Sequence, residues 1–145
     1  MPFRFPLATV LRVRESLRAQ EERALQKILI EMARVTREID RLNAEIAEAF
    51  NAEQQAMKRP IPASQVRMLV WAKQAAVEKK TVLDRDCKIL EQQRDRQLKI
   101  YQAAYSNCET LSSLRDSQRD KYEQEKVRTH QKRIDDIFAA RRQRS

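Results

Sequence analysis

Apolar residues recur along this chain with a period near three and a half over two long stretches. In the first, Leu25, Ile28, Met32, Val35, Ile39, Leu42, Ile46 and Ala49 follow one another at alternating steps of three and four. In the second, Leu69, Ala76, Leu83, Cys87, Leu90, Tyr101, Ala104, Cys108 and Leu111 keep the same period, with polar residues filling some positions. Such spacing lays one apolar seam along a helix and predicts that the seam pairs with another helix as a coiled coil. Between the stretches lies KRPIPASQ, Lys58 to Gln65, where two prolines flank Ile61. A helix cannot run through both, because each lacks an N–H and clashes with the preceding turn.

Folding the seams back on each other about Ile61 brings together residues whose numbers add to about 122. Met32 meets Leu90, Val35 meets Cys87, Ile39 meets Leu83, Ile46 meets Ala76 and Leu11 meets Leu111. Two seams and a proline turn therefore select one register, and their agreement predicts an all-α fold, a long antiparallel two-helix coiled-coil hairpin. The expected organisation is one unit over residues 1–145: helix 1 over about 6–57, a turn at 58–63, helix 2 over about 64–140 and a basic tail at 141–145. Burying a dozen such side chains at about 1.5 to 3 kcal/mol each could hold two helices together without a larger core.

Towards the termini the strict seam carries Arg14, Arg18 and Glu21, and apolar residues stand one position aside at Val10, Val13, Leu17 and Ala24. Tyr105 falls opposite Leu17 and Leu98 opposite Ala24, which predicts a drift of the contact line where supercoiling relaxes. The arms are unequal. Helix 1 would span about 77 Å and helix 2 about 114 Å, so the second helix overhangs from Asp116 onwards. The overhang is polar yet carries Tyr122, Val127, Ile134, Ile137 and Phe138. A lone helix in water is only marginally stable, and one that keeps apolar side chains implies a partner. At the start, Phe3 and Phe5 are expected to close the open end of the hairpin over Leu111, Leu114 and Tyr122.

Composition narrows the possibilities. The 145 residues include no glycine, four prolines and 35% charged side chains. Glycine supplies backbone at positive φ, so its absence argues against hairpin-rich sheets, dinucleotide-binding folds and phosphate-cradling loops. The longest apolar run, Met68 to Ala72, falls far short of the roughly 20 residues of a bilayer span, and the N-terminus has no secretory apolar core. A cytoplasmic location follows as an expectation. Cys87 and Cys108 would lie about 32 Å apart on one helix, too far for a disulfide, and are expected as free thiols.

A formal net charge of +9 raises the question of nucleic acid. The pattern argues against it, because Glu31 with Arg34, Glu38 with Arg41, Asp84 with Lys88, Asp95 with Lys99 and Glu123 with Lys126 stand at helical ion-pair spacing. Arg141, Arg142 and Arg144 form a basic end, and no aromatic residues interleave with basic ones to stack bases. No nucleic acid, cofactor or metal is expected. His130 is the single histidine, without a second strong ligand beside it, and Asp135 and Asp136 diverge by about 100° around a helix. No phosphate-binding loop or nucleophile elbow occurs, which predicts a protein that is not an enzyme. Trp71, in RMLVWAKQ, either packs on Phe50 or contacts a partner, since Met68, Val70 and Trp71 exceed what one seam can hide.

The opening FRFPLATVLRVRE, the charged hairpin and the closing HQKRIDDIFAARR resemble the FliJ family, the central stalk component of the flagellar type III export ATPase. The resemblance implies a coiled coil similar to the stalk of rotary ATP synthases, with the end carrying both termini entering a hexameric ATPase ring and activating it. It further implies contact with a membrane-embedded export gate, dealings with export chaperones, and a peripheral position at the cytoplasmic face of the inner membrane through those partners. Carried onto this sequence, ring contact would fall to Leu11, Arg14, Gln131, Lys132, Ile134, Asp135, Asp136 and Phe138, and gate contact to Trp71 and Ala75. The equivalent stalk of a virulence-type injectisome, a basic nucleic-acid-binding coiled coil and a dimerising scaffold remain as alternatives.

Overall fold

The computed structural model describes residues 2–144. It contains two helices, α1 (Ala8–Ala56, 49 residues) and α2 (Ala63–Arg144, 82 residues), and no strand among the described residues. This is the all-α hairpin that the two seams predict. α2 continues through Arg141 and Arg142 to Arg144, with the three arginines in its last turn. Cations there offset the partial negative charge of the exposed carbonyls, so the basic stretch extends the helix.

The connection turns without a single residue at positive φ among the described ones. α1 tightens as it ends, with Lys58 N–H donating to the Gln55 carbonyl at 3.3 Å and Arg59 N–H to that of Ala56 at 3.3 Å. Pro60 and Pro62 have no N–H and so need no acceptor. The Pro62 carbonyl accepts from Gln65 N–H at 3.1 Å and Val66 N–H at 3.3 Å and so opens α2. At the other end the Phe5 carbonyl accepts from Ala8 N–H at 3.1 Å. Pro6 is the second residue of this turn, ahead of α1, a position that its fixed φ suits and that needs no N–H.

Two compact units divide the chain, residues 22–100 and residues 1–21 with 101–145. In the first unit Val35 and Leu42, each 2% exposed, are buried with Ala76. Half-buried residues recur at Leu69, Lys73, Lys80, Leu83, Cys87, Leu90, Arg94 and Gln97. Lys73 Nζ lies 3.4 Å from the Glu53 carboxylate of α1 and 5.3 Å from the Phe50 ring, which fixes the antiparallel register in this unit.

In the second unit Phe5, Leu11 and Cys108 form a core, with Phe3 and Leu111 packed against it. The Phe3 and Tyr122 ring centroids are 5.6 Å apart, an edge-tilted pair. The two N-terminal aromatics thus cover Leu111 and Tyr122 as the sequence predicts, while Leu114 remains exposed. Arg18 reaches Glu109 at 3.8 Å and lies 5.7 Å from the Tyr105 ring.

One expectation is corrected. The contact line does not drift aside towards the termini: Val10, Val13, Leu17, Leu98 and Tyr105 are exposed, while Arg18, Glu21, Arg94 and Gln97 occupy the half-buried seam. Long side chains such as Arg and Gln cover a seam with their methylene stems and send their polar heads outward, so a polar residue holds a heptad position without breaking the register. Ala24, the remaining residue expected to shift, is half-buried beside Leu25.

Candidate interaction surfaces

Beyond Tyr122, α2 has no half-buried residue until Ile134. Val127, Ile137 and Phe138 are exposed, Phe138 at 61%. At 100° per residue Val127, Ile134 and Phe138 align within about 40°, and this line lies well over 100° around the helix from the direction of Cys108, Leu111 and Tyr122. The apolar stripe of the overhang is therefore not a continuation of the intramolecular seam. Charged and amide side chains border it. Gln131 Nε2 donates to Asp135 Oδ1 at 3.2 Å, and Glu123, Arg128 and Lys132 flank the shallow groove along Val127.

The residues that the resemblance assigns to a ring fall into two groups. Gln131, Lys132, Asp135, Asp136 and Phe138 are exposed and Ile134 is half-buried, all within three turns of α2. Leu11 and Arg14 stand on α1. Leu11 is 4% exposed in the core with Phe5 and Cys108, whereas Arg14 is exposed. Within this surface only Arg14 and the α2 group present side chains to solvent.

Trp71 does not pack on Phe50. It is 76% exposed, and the Phe50 ring is met by Lys73 instead. Met57, Met68 and Val70 are exposed nearby, and Ala75 lines a groove between α1 and α2 with Leu42, Val82 and Leu83. Sequence reasoning passed over Val82 and Ile89, both exposed. Their signal was present, since they stand one position before the seam residues Leu83 and Leu90.

Alongside this groove α1 carries a ladder of ion pairs. Arg34 pairs with Glu31 at 2.6 Å, and Arg41 bridges Glu38 and Glu45. Hydrogen bonds from the arginines lower the Glu31 and Glu38 pKa values and raise those of Arg34 and Arg41. Asp95 pairs with its neighbour Arg94 at 3.1 Å, not across a turn with Lys99. The Cys87 thiol is pushed up by desolvation and then by Glu91, which keeps it protonated at neutral pH. Among the described residues no group of three or more His, Cys, Asp or Glu side chains could hold a metal ion, and no helix is long and apolar enough to cross a membrane.

These features define a class: a helical hairpin with a second, unpaired reach of helix, whose exposed apolar stripes offer docking surfaces and whose seam does the folding. A family model described as Flagellar FliJ protein matches residues 3–145, and the chain belongs to the FliJ family. Membership makes it a flagellar export stalk protein, a structural component of the export machinery. Comparison with curated proteins and with solved structures gave no match.

Proposed function

We propose that this chain is the non-enzymatic stalk that inserts into the hexameric ATPase ring of the flagellar type III export apparatus, activates it and links it to the export gate. The observation that carries the reading is the apolar stripe of exposed Val127 and Phe138 with half-buried Ile134 between them, on a stretch of α2 without an opposing helix. Solvated helices gain little from such residues, so the stripe makes sense as a surface that a ring of subunits covers. Arg14, Gln131, Lys132, Asp135 and Asp136 would supply the polar contacts around it. Leu11 would act from below, by holding α1 against α2.

Trp71 and Ala75 would meet the membrane-embedded gate, supported by the exposure of the indole beside the turn. Export chaperones would reach the same assembly. The protein would then sit in the cytoplasm, held peripherally at the inner membrane by its partners.

Mixing the purified chain with its cognate ATPase tests the reading. Hydrolysis should rise with the stalk present, and Ile134→Ala with Phe138→Ala should remove the rise. Equal rates with and without the chain, under conditions where the ATPase forms hexamers, would overturn it.

A further inference from the structure

The start of α1 lacks the usual local support. Leu7, whose carbonyl accepts the Leu11 N–H at 2.9 Å, stands at the cap position, and leucine offers no side-chain oxygen to the free N–H groups of the first turn. No acidic residue stands in that turn to meet the partial positive charge there. What holds it is the segment ahead. Phe5 is 9% exposed and packs with Leu11, the fourth residue after the cap, in the manner of a hydrophobic staple, and both seal Cys108 of α2. The Phe5 carbonyl also takes the Ala8 N–H, and Phe3 lies on Tyr122. Among the described residues of this unit only Phe5, Leu11 and Cys108 are buried, and no residue of α1 is buried again before Val35.

We propose that Phe3 and Phe5 form a latch. Closed, they hold the first turns of α1 on α2; lifted, they let α1 unwind from its start to about Arg18 while the rest of the hairpin stays folded. Arg18 marks the limit because it makes the next ion pair and ring contact after the cluster, with Glu109 and Tyr105. Regions with few sealed contacts open locally, at a fraction of the free energy of global unfolding. A helix end with a polar cap keeps its first turn by local bonds. This one depends on the aromatic pair, so the pair and the turn are lost together.

The latch bears on the function proposed above, and this consequence rests on that reading. Leu11 and Arg14 lie on the segment that unwinds, so a ring that contacts them binds the closed form and should hold it closed. With the latch open, the α1 side of the stalk cannot seat in the ring.

Cys108 reports the latch, because it is 2% exposed under Phe5 and Leu11 and its thiol meets N-ethylmaleimide only when they lift. In the whole chain with Cys87→Ala, which leaves a single thiol, Phe3→Ala should speed labelling about fivefold and Phe5→Ala about thirtyfold or more, the factors expected from a lost ring contact and a lost core side chain. Phe5→Leu keeps an apolar side chain and should fall between Phe5→Ala and the parent. Leu42→Ala lies in the other unit and weakens the seam, yet should leave the rate within about twofold, since local opening does not pass through it. Circular dichroism checks that each variant stays helical. Labelling that ignores Phe3 and Phe5, or that Leu42→Ala speeds as much as Phe5→Ala does, would overturn the latch, because Cys108 would then be reached only by unfolding of the whole chain. Cognate ATPase that the chain activates should slow labelling of the parent. Activation with no slowing would overturn the link to the ring, whereas absence of activation would sink the ring reading alone, the latch being decided by the labelling rates.

Discussion

Up to Tyr122, α2 has a half-buried residue at every third or fourth position; beyond it, a stretch of equal helical character has none until Ile134. Composition does not separate the two regions, since both are rich in Arg, Lys, Gln and Glu with scattered apolar residues. What differs is whether the apolar positions point at another helix of the same chain. The paired region teaches that heptad spacing tolerates Lys73, Lys80, Arg94 and Gln97 in its seam, provided that residues such as Val35, Leu42 and Cys108 are sealed at intervals. In the overhang, helix propensity and exposed apolar groups persist without any such seal.

Mutations can break this contrast, beginning with the largest effect. Leu42→Ala empties a sealed position in the seam and should cost about 2 to 4 kcal/mol of stability, read from urea unfolding of the free chain. An unchanged midpoint would mean that the seam is not what folds the protein. Ile134→Ala with Phe138→Ala should by contrast leave unfolding within about 0.5 kcal/mol of wild type, as expected for exposed sites. A large drop in the free protein would place the overhang among the folded contacts.

Phe3→Ala probes the border between the regions. It removes the ring contact with Tyr122 and part of the cover over Phe5, and should cost about 1 kcal/mol. Hydrogen exchange should quicken around Tyr122 while Val35 and Leu42 stay protected. Uniform loss of protection would show that the cap and the seam melt as one.

The smallest effect concerns acid. Glu31 and Glu38 have lowered pKa values in the folded chain because of Arg34 and Arg41, so their contribution is present above the ordinary glutamate value of about 4.3 and is lost as pH falls through their folded values. Both pairs are exposed, which makes the contribution slight and sensitive to salt. The melting temperature should therefore fall a little more between pH 5 and pH 3, on the order of a degree or two, in wild type than in a Glu31→Gln, Glu38→Gln variant. The difference should vanish at high salt.

Much of this was readable from spacing alone. The two seams, the proline turn and the cover that Phe3 and Phe5 provide all follow from periodicity and from what each residue type can do locally. The candidate surfaces were less legible. Trp71 looked as ready to pack on Phe50 as to face a partner, because a register read to the nearest residue cannot say that Lys73 takes that place. Val82 and Ile89 were hidden by their neighbours Leu83 and Leu90, which fit the seam better and drew the eye to it. Leu11 and Arg14 look alike as members of one surface, although a turn of helix separates a sealed side chain from a solvated one.

By itself, then, the sequence determined the secondary structure, the site of reversal and the antiparallel hairpin. These depend on local backbone limits at Pro60 and Pro62 and on a period summed over many residues, so small errors at single positions cancel. Only the tertiary structure decided which side chains occupy the seam near Arg18 and Arg94, and which are left in water. That choice turns on how far flexible stems bend to put methylenes inside and charge outside, a competition among neighbours that differs at each position and that no average over the pattern resolves.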